Sequence, residues 1–313
     1  MKKTDTRRNI KYSTRPLCKF SCVSPYFYLT TRVPTARRAW KFIGTIIKDF
    51  FFLQMAQQLH ITKRPVVNVE TEIDEKIPFS PSHIGTYMSF VAFFVRPISM
   101  LKKRLGYRKA VPYINLYLKF LTKIYKNAAT IYRFSMSTTS RPRYKKDKAF
   151  ITIRIFDPHL LCVPSIHVAI AAGSYAWFKQ LFQTDILPEE EAKMRLKEIE
   201  TQAIAIVESV LFVKQHSVNC VPLALYMLSS TMNKSFFSTQ DATAFIDLLF
   251  RNSNEITEVD KKTILNHFHY MYERALLESY YSDDWQSCIK HWIVDYARET
   301  GQYVPSSFTN DVF

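Results

Sequence analysis

Glycine occurs five times in 313 residues, against roughly 22 at its usual share of about 7%. It is the residue that adopts positive φ without strain and lets backbone lie close to a phosphate. A chain this poor in it has little material for folds built on tight turns or phosphate-cradling loops. Neither G-x-G-x-x-G nor G-x-x-x-x-G-K-[ST] occurs, which removes the dinucleotide cradles and P-loops. Apolar residues instead recur at spacings of three and four over long stretches, the period of helices with one buried face. The 24 Phe and 18 Tyr supply a large core, and 14 Pro spread along the chain exclude one continuous coiled coil. The expectation is an all-α bundle with few strands.

The periodicity predicts helices over 36–59, 83–94, 111–132, 165–182, 189–213, 216–228, 241–250, 261–280 and 285–298, with an irregular connector at 65–81 and a basic one at 137–148. Ser238 is a candidate N-cap, and three glutamates after Pro188 suit a helix N-terminus. Three regions are expected: a basic, flexible arm at 1–35, a helical domain at 36–232 and an acidic helical segment at 233–313. The stretches 158–178 and 215–233 carry no charged residue, so each is either the buried centre of a bundle or a membrane-inserted segment of about 20 residues.

Charge is uneven. Residues 1–50 hold twelve Lys and Arg against Asp5 and Asp49, whereas 233–313 hold seven against twelve acids. A positive front attracts phosphate, whether on a bilayer surface, a small molecule or a nucleic acid; a nucleic-acid reading rests on the arm alone and ranks last. The five cysteines form no C-x-x-C pair, so they read as reduced thiols rather than a zinc ribbon or disulfide framework. The N-terminal basic residues are not followed by an apolar run of signal-peptide length. The membrane, integrally or peripherally, is the expected location, with the cytoplasm as the alternative.

The residues suited to chemistry lie in or beside the uncharged stretches. In Cys162-Val-Pro-Ser-Ile-His167, Pro164 and Ser165 suit a helix start, leaving the N–H groups of Ile166 and His167 free for an anion. His167 then rides in the first turn, placed to move a proton. In Ser209-Val-Leu-Phe-Val-Lys-Gln-His216, Ser209 shares a helical stripe with His216, as do Asn219 and Cys220 three and four residues beyond it. Thr138-Thr-Ser-Arg-Pro-Arg143 brings guanidinium groups able to grip phosphate oxygens. His267 and His269, two apart on a helix, point to different sides and make a poor metal pair. Asp157 and His159 precede Pro164–His167 closely enough to support it, although a turn at Asp157-Pro158 explains them equally well, and Tyr113 to Tyr125 reads as an amphipathic core face.

Taken together, Arg141-Pro142, Pro164-Ser165-Ile166-His167 and Ser209 through His216 resemble, in order and spacing, the three motifs of the type 2 phosphatidic acid phosphatase and haloperoxidase superfamily. The forms P-S-I-H-V-A and K-Q-H are most similar to its inositol phosphorylceramide synthase branch, and the resemblance covers about residues 85–232. It implies a helical bundle of that kind and a metal-independent, cofactor-free phosphatase or phosphotransferase acting on a phosphorylated lipid or small-molecule phosphate. His216 would attack phosphorus, His167 would protonate the leaving oxygen, and Arg141, Ser165, Ile166, Lys214, Ser209 and Arg133 would surround the phosphoryl group. Two positions depart from the pattern: Phe134 stands where a lysine is usual, with Arg133 one place early, and Cys220 stands where an aspartate is usual. A thiol cannot hold an imidazolium as a carboxylate does, so Asn219 is the expected replacement. A slow enzyme, or a phosphate- or headgroup-binding protein of the same fold, is the alternative.

Overall fold

A computed structural model describes residues 10–144 and 146–305, with the backbone alone at 155 and 156. Residues 1–9 of the expected arm lie outside the described residues. From Ile10 onward, however, the arm is part of the bundle rather than loose. Tyr12, Leu17 and Phe20 are buried, and the fully buried guanidinium of Arg195 donates to the carbonyls of Tyr12 (2.9 Å), Ser13 (2.8 Å) and Arg15 (2.5 Å). Helix α1 (Ser24–Thr31) follows, with Pro25 in its first turn and Tyr28 and Leu29 inward. Composition hid this because the apolar anchors are spaced among exposed cations.

Helix α2 (Val33–Ile46) passes through a π turn (Ile47–Phe51) into α3 (Phe52–Gln58). The wider turn shifts the register of the helix and carries Asp49 inward to meet Arg133. Two three-residue strands, β1 (Val66–Asn68) and β2 (Met136–Thr138), pair in parallel. Between them lie a 3₁₀ turn (Glu72–Lys76), α4 (Ile84–Met88), α5 (Phe90–Leu105) and α6 (Tyr107–Phe134). Helix α5 runs past Pro97, which the sequence reading takes as beyond the helix end. Phe93, Phe94, Ile98 and Leu101 are all buried along it, and this packing outweighs the lost backbone donor.

Helix α7 (Lys148–Phe156) lies in a stretch for which the sequence reading gives no helix, capped by Asp147, whose side chain accepts from the N–H of Ala149 at 2.8 Å. Then come α8 (Ile166–Phe182), α9 (Glu189–Phe212), α10 (Cys220–Thr231), α11 (Thr239–Leu248), α12 (Glu258–Ser279) and α13 (Trp285–Glu299). Ser238 does cap α11, in a reciprocal box with Asp241.

The molecule is an all-α bundle with α8 near its centre, packed on α9, α6, α10 and α5. The uncharged stretches form α8 and α10, both buried inside the bundle. Gly173 marks the close approach of α8 to α6: a Cβ there would stand 2.8 Å from Cζ of Phe120. Helices α12 and α13 pack on α10, and one hydrophobic core runs from Tyr12 to Ala297; the acidic segment is therefore not a separate appendage. By length and composition, Pro81–Leu105 could cross a membrane, yet 61% of its apolar window is buried within the protein.

Candidate active site

Strand β2 anchors the first histidine motif. Ser137 donates its N–H to the carbonyl of Leu160 (3.0 Å) and accepts at its own carbonyl from Cys162 (3.2 Å). Its hydroxyl oxygen accepts from the N–H of Val163 at 2.7 Å. A cis Val163–Pro164 peptide follows, and Ser165 then caps α8, its Oγ accepting from the N–H of Val168 at 3.4 Å. Ile166 and His167 open the helix as expected, so their N–H groups belong to the turn that has no intrahelical acceptor.

The second histidine arrives from a tight loop. Helix α9 ends at Phe212, Lys214 takes a left-handed φ of 55°, and residues 215–219 fold back before α10 begins. Asp74, in the 3₁₀ turn, holds this loop. One carboxylate oxygen accepts from the N–H of Val218 (2.8 Å) and the other from the Ser217 hydroxyl (2.7 Å) and the N–H of Thr71 (2.9 Å). Burial raises the pKa of Asp74 while these bonds and Lys214 oppose the rise. Asp74 was not singled out from sequence, since 143 residues separate it from Ser217 and no local pattern connects them.

The two imidazoles meet. His216 donates from Nδ1 to the carbonyl of Cys162 at 3.2 Å. A carbonyl can only accept, so this bond fixes the tautomer and leaves the Nε2 lone pair of the neutral ring pointing inward. Nε2 lies 3.2 Å from Nδ1 of His167 and 3.3 Å from Oγ of Ser165, both of which can donate to it. Tyr87 and Phe90 pack on the His167 ring, with centroids 5.0 and 4.4 Å away. An in-line phosphoryl transfer needs the attacking nitrogen about 3 Å from phosphorus and the acid within hydrogen-bond reach of the oxygen beyond. Admitting a phosphoryl group between them would require the rings to part by roughly 3 Å.

Arg141 stands at the edge of this site. It donates to the carbonyl of Asp157 at 3.0 Å, and its Nε is buried without a partner. Burial lowers its pKa and raises that of Asp157, while the attraction between the two opposes both shifts. Asp157 accepts from the N–H of His159 at 3.0 Å. His159 donates from Nε2 to the carbonyl of Gln215 at 2.6 Å and so supports the His216 segment, whereas the Asp157 side chain closes a local turn. The 159–215 bond ties the two histidine-bearing segments together.

Several assigned residues are elsewhere. Lys214 sends its ammonium to the carbonyl of Asp74, drawn by the acidic 3₁₀ turn rather than toward the histidines. Burial lowers its pKa, against the pull of Asp74, Glu70 and Glu75. Ser209 closes its hydroxyl on the carbonyl of Ile206 at 2.7 Å inside α9. Arg133, itself partly exposed, pairs with the buried Asp49. Asn219 donates to the carbonyl of Val69 (3.0 Å) and bonds His267 (2.7 Å), so it does not orient His216; the Cys162 carbonyl has that position. Burial, and next the neighbouring Cys162 thiol, push the pKa of the Cys220 thiol up. The stripe argument fails because α10 starts at Cys220: His216 is in the loop, and helical i+3 and i+4 relations do not extend to it. His267 and His269 diverge, the latter reaching Asp247 at 2.8 Å. Among the described residues no group of three His, Cys, Asp or Glu side chains is placed to hold a metal ion.

An apolar cavity of about 480 Å³ leads to His167 from the surface. Ile43, Ile47, Phe50, Phe51, Val91 and Ile153 line much of it, with Asp157 and His167 at its inner end. Such a shape accepts an apolar chain whose polar end lies at His167.

Desolvation, and secondarily the proximity of His216, lowers the pKa of His167 to about 3. In the unfolded chain an imidazole titrates near 6.5. Above that pH both states are neutral there; as pH falls below it, the unfolded chain gains a proton that the folded protein refuses, so stability falls. The wild type should lose about 1 kcal/mol more per pH unit between pH 6 and 4 than His167→Gln. Urea unfolding across that range measures this, and parallel curves would remove the assignment of a desolvated His167.

None of the protein-family models, curated proteins or solved structures compared with the chain gives a match.

Proposed function

We propose that the protein is a metal-independent phosphatase or phosphotransferase acting at a membrane on a phosphate-bearing lipid. The observation that carries this reading is the convergence of two imidazoles from separate segments, 3.2 Å apart, one of which, His167, lines an apolar cavity. His216 Nε2 attacks phosphorus and the bond to the leaving oxygen breaks, with His167 delivering the proton to that oxygen. Water or an alcohol then attacks the phosphohistidine, gives its proton to His167 and frees His216. A bound phosphate dianion raises the pKa of the adjacent His167, so the acid forms when substrate is present. Arg141, the Ser165 hydroxyl and the first-turn N–H groups of α8 stabilise the equatorial oxygens.

A second reading, a headgroup-binding protein without turnover, is favoured by one observation. The orienting partner of His216 is a neutral carbonyl, which stabilises a cationic ring far less than a carboxylate does. Incubating the protein with short-chain phosphatidic acid bearing labelled phosphate separates the two. The enzyme reading expects phosphate release that survives chelator, together with a labelled adduct stable to alkaline and labile to acid quench. Saturable binding with neither release nor adduct establishes the second reading instead.

A further inference from the structure

The outer face of α2 and α3 presents a pattern the bundle does not use. Trp40, Ile47, Phe51, Phe52, Met55 and Leu59 are between 40 and 63% exposed, on a run where soluble helices place polar residues. On α2 this apolar strip borders a basic one. At 100° per residue Trp40 and Ile47 fall on one edge of the exposed arc, and Arg37, Lys41 and Lys48 on the other. From Ser24 to Arg64 the only acid is Asp49, and it is buried against Arg133.

The basic side continues onto α6. Arg38 and Lys41 share with Lys119, Lys123 and Lys126 a cleft of about 450 Å³ that no acidic residue lines. The side chain of Asn127, also lining it, has a buried Nδ2 without a partner. On the other flank of α2, Ile43, Ile47 and Phe51 form one wall of the cavity that leads to His167. Exposed apolar side chains, a cationic border and an apolar passage inward thus meet along α2 and the π turn that follows it.

We infer that this face docks the protein peripherally on a bilayer of anionic phospholipid. The apolar strip of α2, the π turn and α3 enter the acyl region, the cations of α2 and the α6 cleft face the headgroups, and the cavity opens toward the lipid. An amphipathic helix with large apolar residues on one side and cations on the other is suited to lie in the interfacial plane, and each cation near an anionic surface contributes to attachment. The charge selects this occupant. A second copy would bring its own cations against these. The inference deepens the membrane part of the proposed function and does not depend on its chemistry.

The test is co-sedimentation of the full chain with vesicles of phosphatidylcholine alone or with one-third phosphatidylglycerol. The wild type should bind the anionic vesicles, and Arg37→Gln/Lys41→Gln/Lys48→Gln should lower its partition coefficient by roughly a hundredfold. Trp40→Glu/Ile47→Glu should also release the protein. His216→Gln should bind as the wild type does, whatever it does to phosphate release, which separates failure of docking from failure of the catalytic reading. Raising salt tenfold on the wild type should weaken binding to the anionic vesicles, a measurement independent of how the variants fold. No binding by the wild type, salt-insensitive binding, or variants that bind equally would overturn the inference. So would a dimer dissolved by Trp40→Glu/Ile47→Glu in a protein that ignores vesicles.

Discussion

His216→Gln is expected to lower phosphate release by on the order of 10⁴ or more and to abolish the labelled adduct, while leaving the fold intact. Loss of a nucleophile removes the covalent route, and what remains comes from binding and oxyanion stabilisation alone. The glutamine amide is long enough to keep a donor near the Cys162 carbonyl, which limits the damage to the loop. His167→Gln should be milder, about 10² to 10⁴ in rate, because an acid assists the leaving group without forming the bond to phosphorus. The adduct should still form slowly in that variant. Release surviving His216→Gln at the wild-type rate, measured beside an unchanged circular dichroism spectrum, would exclude His216 as the nucleophile.

The largest effect on stability is expected at Arg195, a position with no part in the proposed chemistry. Its side chain is fully buried, donates to three carbonyls of the N-terminal segment, and pairs with Glu198 at 2.9 Å. Glu191 lies 3.9 Å away and is held by Arg104 at 2.7 Å. Arg195→Met keeps the volume and removes every donor. Breaking a buried charged network in this way costs about 3 to 5 kcal/mol, here compounded by carbonyls left without partners. A shift of that size in the urea midpoint should accompany earlier tryptic cleavage between Lys11 and Lys19, since Arg195 is what pins that segment to α9. A change below about 1 kcal/mol, within the range of surface substitutions, would mean that Leu17 and Phe20 hold the segment unaided.

Much of the fold was legible because helix periodicity and capping are local. Helices α6, α8, α9, α12 and α13 fall within a few residues of the expected ranges, and the Ser238 cap is where its sequence places it. The approach of His167, Ser165 and His216 is what the resemblance of three motifs to a known superfamily implies; no local spacing predicts it. What failed had a common cause. Ser209, Asn219 and Cys220 are placed beside His216 by extending helix geometry through residues 213–219, where the chain instead turns, and Lys214 is placed at the phosphate by the resemblance, which does not register that turn. Neither the left-handed Lys214 nor the grip of Asp74 leaves a short-range trace. The arm failed for a different reason: cationic composition describes its solvent side, while three or four apolar residues and one distant arginine decide its fate.

The turn at Thr71–Lys76 has a wider role than its five helical residues suggest. Asp74 suspends the His216 loop from it, Lys76 bridges to Asp260 at 2.9 Å, and Glu70 beside it accepts the Tyr296 hydroxyl. Asn219, at the end of that loop, meets His267. The His216 ring is thus suspended between the middle of the chain and its last third, like a span carried on two piers. Trimming the acidic segment would spare every residue assigned to the chemistry and still undermine one of its two supports.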